Sequence, residues 1–134
     1  MTSQFPQEPR SLEVLVLDDD NEWLHYVGFN LELNLGIQPV LASNGEEALR
    51  VMASRPIDVV ISDVFMPEMD GFQFVRRARA LFSTTKIILL SGVFCSSTSV
   101  PAQRLTELGV FAAMSKAEIS TLLDVLRNLQ DTNR

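Results

Sequence analysis

The sequence predicts an α/β fold in which a parallel sheet lies between two layers of helices. Three observations predict it. Short apolar runs such as Val14-Leu15-Val16-Leu17 and Val59-Val60-Ile61 lack the alternation of a half-exposed strand, so they read as strands covered on both faces. Stretches with apolar residues at helical spacing separate these runs. The chain has 134 residues, 46% of them hydrophobic, which suits one domain with a real core and leaves no room for a second.

In chain order, Met1 to Ser11 is polar and carries two prolines, and it reads as a flexible lead-in. Leu12 to Leu17 is the first strand and runs into Asp18-Asp19-Asp20. Asn21 can cap a helix through Leu35, with Leu24, Val27, Leu31 and Leu35 on one stripe and Gly36 as its stop. Ile37 to Ala42 is the second strand. Ser43-Asn44-Gly45-Glu46-Glu47 starts a helix that turns Ala48, Leu49 and Met52 inward and ends before Pro56. The run from Ile57 is the third strand, and Asp63 stands at its end before Pro67 and the Met69-Asp70-Gly71 turn. Phe72 to Phe82 is helical, with Phe72, Val75, Ala78 and Leu81 inward and Arg76, Arg77 and Arg79 on the other side. Lys86 to Leu90 is the fourth strand, closed by Ser91-Gly92. After a Ser-rich stretch, Pro101 fits the first turn of a helix that ends before Gly109. Val110 to Met114 is the fifth strand, Ser115-Lys116 closes it, and Ala117 to Gln130 is the last helix. The domain is therefore read as residues 12–130, followed by a tail of residues 131–134.

Composition excludes several function classes. A net charge of -6 argues against nonspecific nucleic-acid binding, which needs a basic footprint. No apolar run is long enough for a membrane span, and Met1 to Arg10 lacks the apolar centre of a secretory signal, so a cytoplasmic protein is expected. The single cysteine, Cys95, cannot form an internal disulfide.

Five strands alternating with five helices favour a flavodoxin-like, doubly wound five-stranded parallel sheet of order 2-1-3-4-5. That order sets the first and third strands side by side, so Asp18 and Asp19 meet Asp63, while Ser91 and Lys116 reach the same edge from the fourth and fifth. Ligands bind at such carboxyl edges. Packed carboxylates repel and call for a cation, and oxygen ligands without His or Cys select a hard metal such as Mg²⁺. A carboxylate can also act as nucleophile towards a phosphoryl group, a reaction that needs mainly alignment and charge neutralisation. Taken alone, the Asp18 to Asp20 run reads as a helix-capping segment and Asp63 as a turn cap; agreement among four strand ends favours a site. His25 reads as a surface residue, Cys95 as a packing residue or a redox thiol, and Trp23 as core packing or a partner surface. Arg76, Arg77 and Arg79 read as a solvated face or a partner patch.

Together, Val14-Leu15-Val16-Leu17-Asp18-Asp19, Asp63-Val64-Phe65-Met66-Pro67-Glu68-Met69-Asp70-Gly71, Leu89-Leu90-Ser91-Gly92 and Gly109 followed by Met114-Ser115-Lys116 resemble the receiver domain of two-component response regulators, of the stand-alone, chemotaxis-like kind. The resemblance implies that Asp63 is the phosphoacceptor. It implies that Asp19, Asp63 and the Phe65 main-chain carbonyl bind Mg²⁺, with Asp18 acting through a water. Ser91 would bond a phosphoryl oxygen and Lys116 would pair with Asp63 or its phosphate. It also implies a phosphorylation-operated signalling module with only self-catalysed transfer and slow self-dephosphorylation, a histidine kinase or phosphotransfer protein as donor, an output protein as partner, and a monomer or weak dimer. Relatives usually carry an aromatic residue three positions before the lysine, where this chain has Ala113, so switching is expected in the Ser91 to Pro101 loop and the start of the fourth helix. A proline commonly follows the lysine; with Ala117 there, a trans bond is expected, because a cis non-proline bond costs about 3 kcal/mol. The alternatives are a Mg²⁺-dependent phosphatase of the haloacid dehalogenase type, which expects an acid where Phe65 stands, and a constitutive receiver-like scaffold.

Overall fold

The computed structural model of this chain describes residues 11–92 and 106–132. Its five strands are β1 (Val14–Leu17), β2 (Val40–Ala42), β3 (Val59–Asp63), β4 (Lys86–Ser91) and β5 (Ala112–Ser115). All neighbours pair in parallel, in the order β2-β1-β3-β4-β5, which is the flavodoxin-like arrangement expected. Helices α1 (Asn21–Leu35), α2 (Gly45–Ser54) and α3 (Gly71–Leu81) and the C-terminal helix Ile119–Thr132 are described in full. Residues 106–108 are the helical end of the remaining one, closed by Gly109 at φ +74°. Most of the proposed lead-in, Cys95, the Ser-rich stretch, Pro101 and the last two residues of the tail lie outside the described residues.

Alternate side chains of the buried strands serve two separate layers. Leu15, Leu17, Val60, Ile87 and Leu89 pack with Ala48, Leu49 and Met52 of α2 and with Phe74, Val75 and Ala78 of α3. Val14, Val16, Val59, Ile61, Ile88 and Leu90 pack with Leu24, Val27 and Leu31 of α1 and with Leu122 and Leu126 of the C-terminal helix. This double coverage is why the strands carry no polar alternation. Truncating a fully buried leucine here, such as Leu15, costs about 2–5 kcal/mol. The stability of the sheet fixes the strand ends that carry the polar residues.

Several boundaries differ from the sequence reading, for identifiable reasons. The cap of α1 is Asp20, not Asn21: its carboxylate accepts from the Glu22 and Trp23 amides at 3.0 and 3.3 Å. The second strand starts at Val40. The Ile37 amide is spent on the Leu31 carbonyl, closing α1 behind Gly36 at φ +66°, and Pro39 has no amide to offer a ladder. Helix α3 begins at Gly71 behind a capping box made by Asp70 and Gln73. Its inward stripe is Gly71, Phe74, Val75 and Ala78, so Phe74 is core and Leu81 is exposed, against expectation.

Arg79 is structural rather than part of a solvated face. Its guanidinium donates to the carbonyls of Gly109, Phe82 and Ser83, tying the end of α3 to the approach of β5. The fifth strand begins two residues late, at Ala112. The last helix starts at Ile119 and runs to Thr132, so residues 131 and 132, read as tail, are helical.

Candidate functional site

Register brings the polar strand ends together. Leu17 is level with Ser62 and Asp63 with Leu90, so the residue after β1, Asp18, stands beside the last residue of β3, Asp63. On the other side Ser91 is level with Ser115, and the Lys116 amide donates to the Ser91 carbonyl at 3.1 Å. Carboxylate oxygens of Asp18, Asp19 and Asp63 lie within 4.8 Å of one another. Asp18 and Asp63 are buried, while Asp19 is exposed at the rim. Ser91 is fully buried at the end of β4.

The chain after Asp63 is held tightly. Asp63 Oδ1 accepts from the Val64 amide at 2.9 Å, and the buried Ser62 hydroxyl donates to the Asp63 carbonyl. The Gly71 amide donates to the Val64 carbonyl at 2.7 Å, closing the loop on itself. A Cβ on Gly71 would lie 2.5 Å from the Asp63 main-chain oxygen, so glycine is needed there for close approach rather than only for a turn. Within the loop, the Met69 amide donates to the Pro67 carbonyl across Glu68 at φ +69°, a strained γ-turn. The Phe65 side chain is exposed.

Lys116 pairs with both buried carboxylates, the nearer being Asp18. Lys116 Nζ is 2.6 Å from Asp18 Oδ2 and 3.9 Å from Asp63 Oδ2, so its main partner is Asp18. Asp63 accepts the main-chain amides of Val64 and Phe65, and Asp18 accepts that of Asp20 through Oδ1 at 2.9 Å, leaving its buried Oδ2 to the ammonium. The indole of Trp23, on the first turn of α1, lies with its centroid 5.0 Å from the same ammonium. Sequence reasoning left Trp23 as packing or surface; its only signal was its place four residues after Asp19. The Lys116–Ala117 bond is trans, as expected without proline.

Electrostatics follow from burial. Desolvation is the main cause that raises Asp18 above the usual carboxylate range, against the pull of Lys116. Asp63 is pushed up to about 6, chiefly by burial and then by the charge of Asp18; Lys116 and the Val64 and Phe65 amides oppose the shift. The Lys116 ammonium pairs with two of the three clustered carboxylates, Asp18 and Asp63. The clustered carboxylates form an all-oxygen donor set that fits a hard divalent cation such as Mg²⁺.

A model of the response regulator receiver domain matches residues 14–127. The chain belongs to this family. It is similar to the sensor histidine kinase RcsC of Salmonella typhimurium, 37% identical over 94 residues, which are 70% of this chain and 9% of that protein. The chain thus spans under a tenth of that relative. Among solved structures, the receiver domain of the Francisella response regulator 1452 superposes with a TM-score of 0.79 at 28% identity, over 92% of this chain and 99% of that one. Chemotaxis response regulator CheY4 of Vibrio cholerae does so with 0.75 at 30% identity, over 89% and 98%. Receiver domains are signalling modules of two-component systems, accept phosphoryl groups and generally bind Mg²⁺ in an acidic pocket. Among the described residues, no helix is long and apolar enough to cross a membrane.

Proposed function

We propose that this chain is a phosphorylation-operated binding module in which Asp63 takes a phosphoryl group from a histidine kinase or phosphotransfer protein. The observation that carries this reading is the convergence of Asp18, Asp19 and Asp63 within 4.8 Å beside Lys116, at the carboxyl edge of the sheet. An Asp63 carboxylate oxygen attacks phosphorus, the bond from phosphorus to the donor imidazole nitrogen breaks, and the electron pair leaves on that nitrogen, which is protonated. The amides of Val64 and Phe65 and the clamp at Gly71 hold the nucleophile in place. Lys116 transfers from Asp18 towards the new phosphoryl oxygens, and the Ser91 hydroxyl is their second donor. Asp19, Asp63 and the Phe65 carbonyl would hold Mg²⁺, with Asp18 behind them. Bound there, Mg²⁺ neutralises charge between carboxylates and phosphoryl oxygens.

Output in this reading is a changed surface that binds another protein. Ala113 is buried against the layer of α2 and α3 and has no ring to swing, which supports switching in the segment after Ser91 rather than by an aromatic side chain. Intact-mass measurement after incubation with phosphoramidate and Mg²⁺ tests the assignment. One phosphoryl group is expected on the wild type and none on Asp63→Asn or in excess chelator. Full modification of Asp63→Asn would overturn it.

A further inference from the structure

One ammonium in this site has three attractors. Lys116 Nζ is 2.6 Å from Asp18, 3.9 Å from Asp63 and 5.0 Å from the Trp23 ring centroid. Asp18 and Trp23 bracket the same β1 to α1 turn, so they pull together against Asp63 on β3. The ring is itself fixed: it is half-buried, packs on the layer of α1 and the C-terminal helix, and lies 5.4 Å from the Tyr26 ring. The lysine main chain is fixed too. Its amide is bonded to Ser91, and next to it the Ser115 amide donates to Glu118 and the Ala117 amide to the Ser115 hydroxyl. Only the lysine side chain is left to move, and a partly desolvated ammonium over an indole face is held by the ring quadrupole.

Resting on the phosphoryl-acceptor reading above, we propose that Trp23 is a positioning residue for Lys116: its indole face keeps the ammonium on Asp18 while Asp63 is unmodified, and so sets how readily the lysine transfers to a phosphoryl group. The ring stabilises the resting placement and is left behind when the lysine moves. Removing it therefore favours the phosphoryl-bound state. At a half-buried site, loss of the cation–π contact corresponds to about a two- to fivefold gain in affinity for a phosphoryl mimic.

Lys86 and Lys116 are the only lysines, so a sample labelled with ¹³C-lysine gives two resolvable ε-methylene signals. The Lys116 signal should be shifted upfield by the indole in the wild type. It should relax towards the free-lysine position in Trp23→Leu, and also in the wild type on adding Mg²⁺ and beryllofluoride. An unchanged Lys86 signal certifies the fold. Trp23→Leu should bind beryllofluoride about two- to fivefold more tightly at saturating Mg²⁺, with Trp23→Phe, which keeps a ring face, in between. A Lys116 signal unmoved by Trp23→Leu, or affinity no tighter than wild type in a variant with the native Lys86 signal, overturns the proposal. Failure of the wild type to bind beryllofluoride would instead overturn the phosphoryl-acceptor reading and the transfer step with it, whatever the resting Lys116 signal shows.

Discussion

Gly71 Cα lies so close to the main chain of Asp63 that an added methyl carbon would stand 2.5 Å from the Asp63 carbonyl oxygen and 2.8 Å from Val64 Cα. Both are backbone atoms and cannot rotate away. Gly71→Ala should therefore displace the end of β3 and destabilise the domain by about 2 kcal/mol or more, within the range for overpacking. Gly28, inside α1, meets nothing nearer than 3.8 Å, so Gly28→Ala should stabilise by about 0.5–1 kcal/mol. Urea unfolding of the two variants checks the contrast; equal effects would refute the close-approach role.

Lys116 and Asp18 form a pair in which the Asp18 side chain is almost wholly buried and the lysine side chain keeps about a fifth of its surface in water. Lys116→Met leaves Asp18 without its counter-charge. A loss of about 3 kcal/mol at neutral pH is expected, the low end for such pairs because the lysine is partly solvated. Asp18→Asn in the same chain should recover much of it. A double-mutant cycle by chemical denaturation measures this, and a coupling near zero would contradict the pairing.

The raised Asp63 pKa sets a pH dependence of stability. Between its ordinary 3.8 and the folded value of about 6, the folded chain keeps a proton that the unfolded chain releases. Stability is therefore lost as pH rises through that window, by about 3 kcal/mol in total, and Asp18 adds in the same direction. In metal-free buffer Asp63→Asn should be more stable than wild type at pH 7 and lose that advantage near pH 4. Unfolding midpoints measured from pH 4 to 8 decide the sign.

Metal affinity should divide unequally between the two leading acids. Asp19 is exposed at the rim, whereas Asp18 is already engaged by Lys116. Asp19→Ala should weaken Mg²⁺ binding by more than about tenfold, as for loss of a direct ligand, and Asp18→Ala by less. Calorimetric titration with Mg²⁺ alone reads both. Equal losses would contradict the division.

Strand order was legible because five strands alternating with five helices leave few topologies open, and that order already brought Asp18, Asp63, Ser91 and Lys116 to one edge. Helix faces were less legible. In α3 the apolar spacing turned Phe72 inward, whereas Phe74 is fully buried and Phe72 packs on the same layer only partly buried. Arg79 shows the same limit: carbonyl groups left at a helix end do not appear as letters in a sequence, so a side chain that bonds them looks like surface. That Lys116 lies nearer to Asp18 than to Asp63 depends on how the side chains are placed at the strand ends, which motif spacing does not specify.

The brevity of β2 bears on how the sheet meets other chains. It is the strand at one margin, three residues long, and the residue before it is Pro39, which has no amide. Another extended segment arriving at that margin would find only a short ladder before the pairing failed, too little to seed edge-to-edge growth. The shortness that removes Ile37 from the sheet thus also blunts the β2 margin against edge-to-edge pairing with another copy.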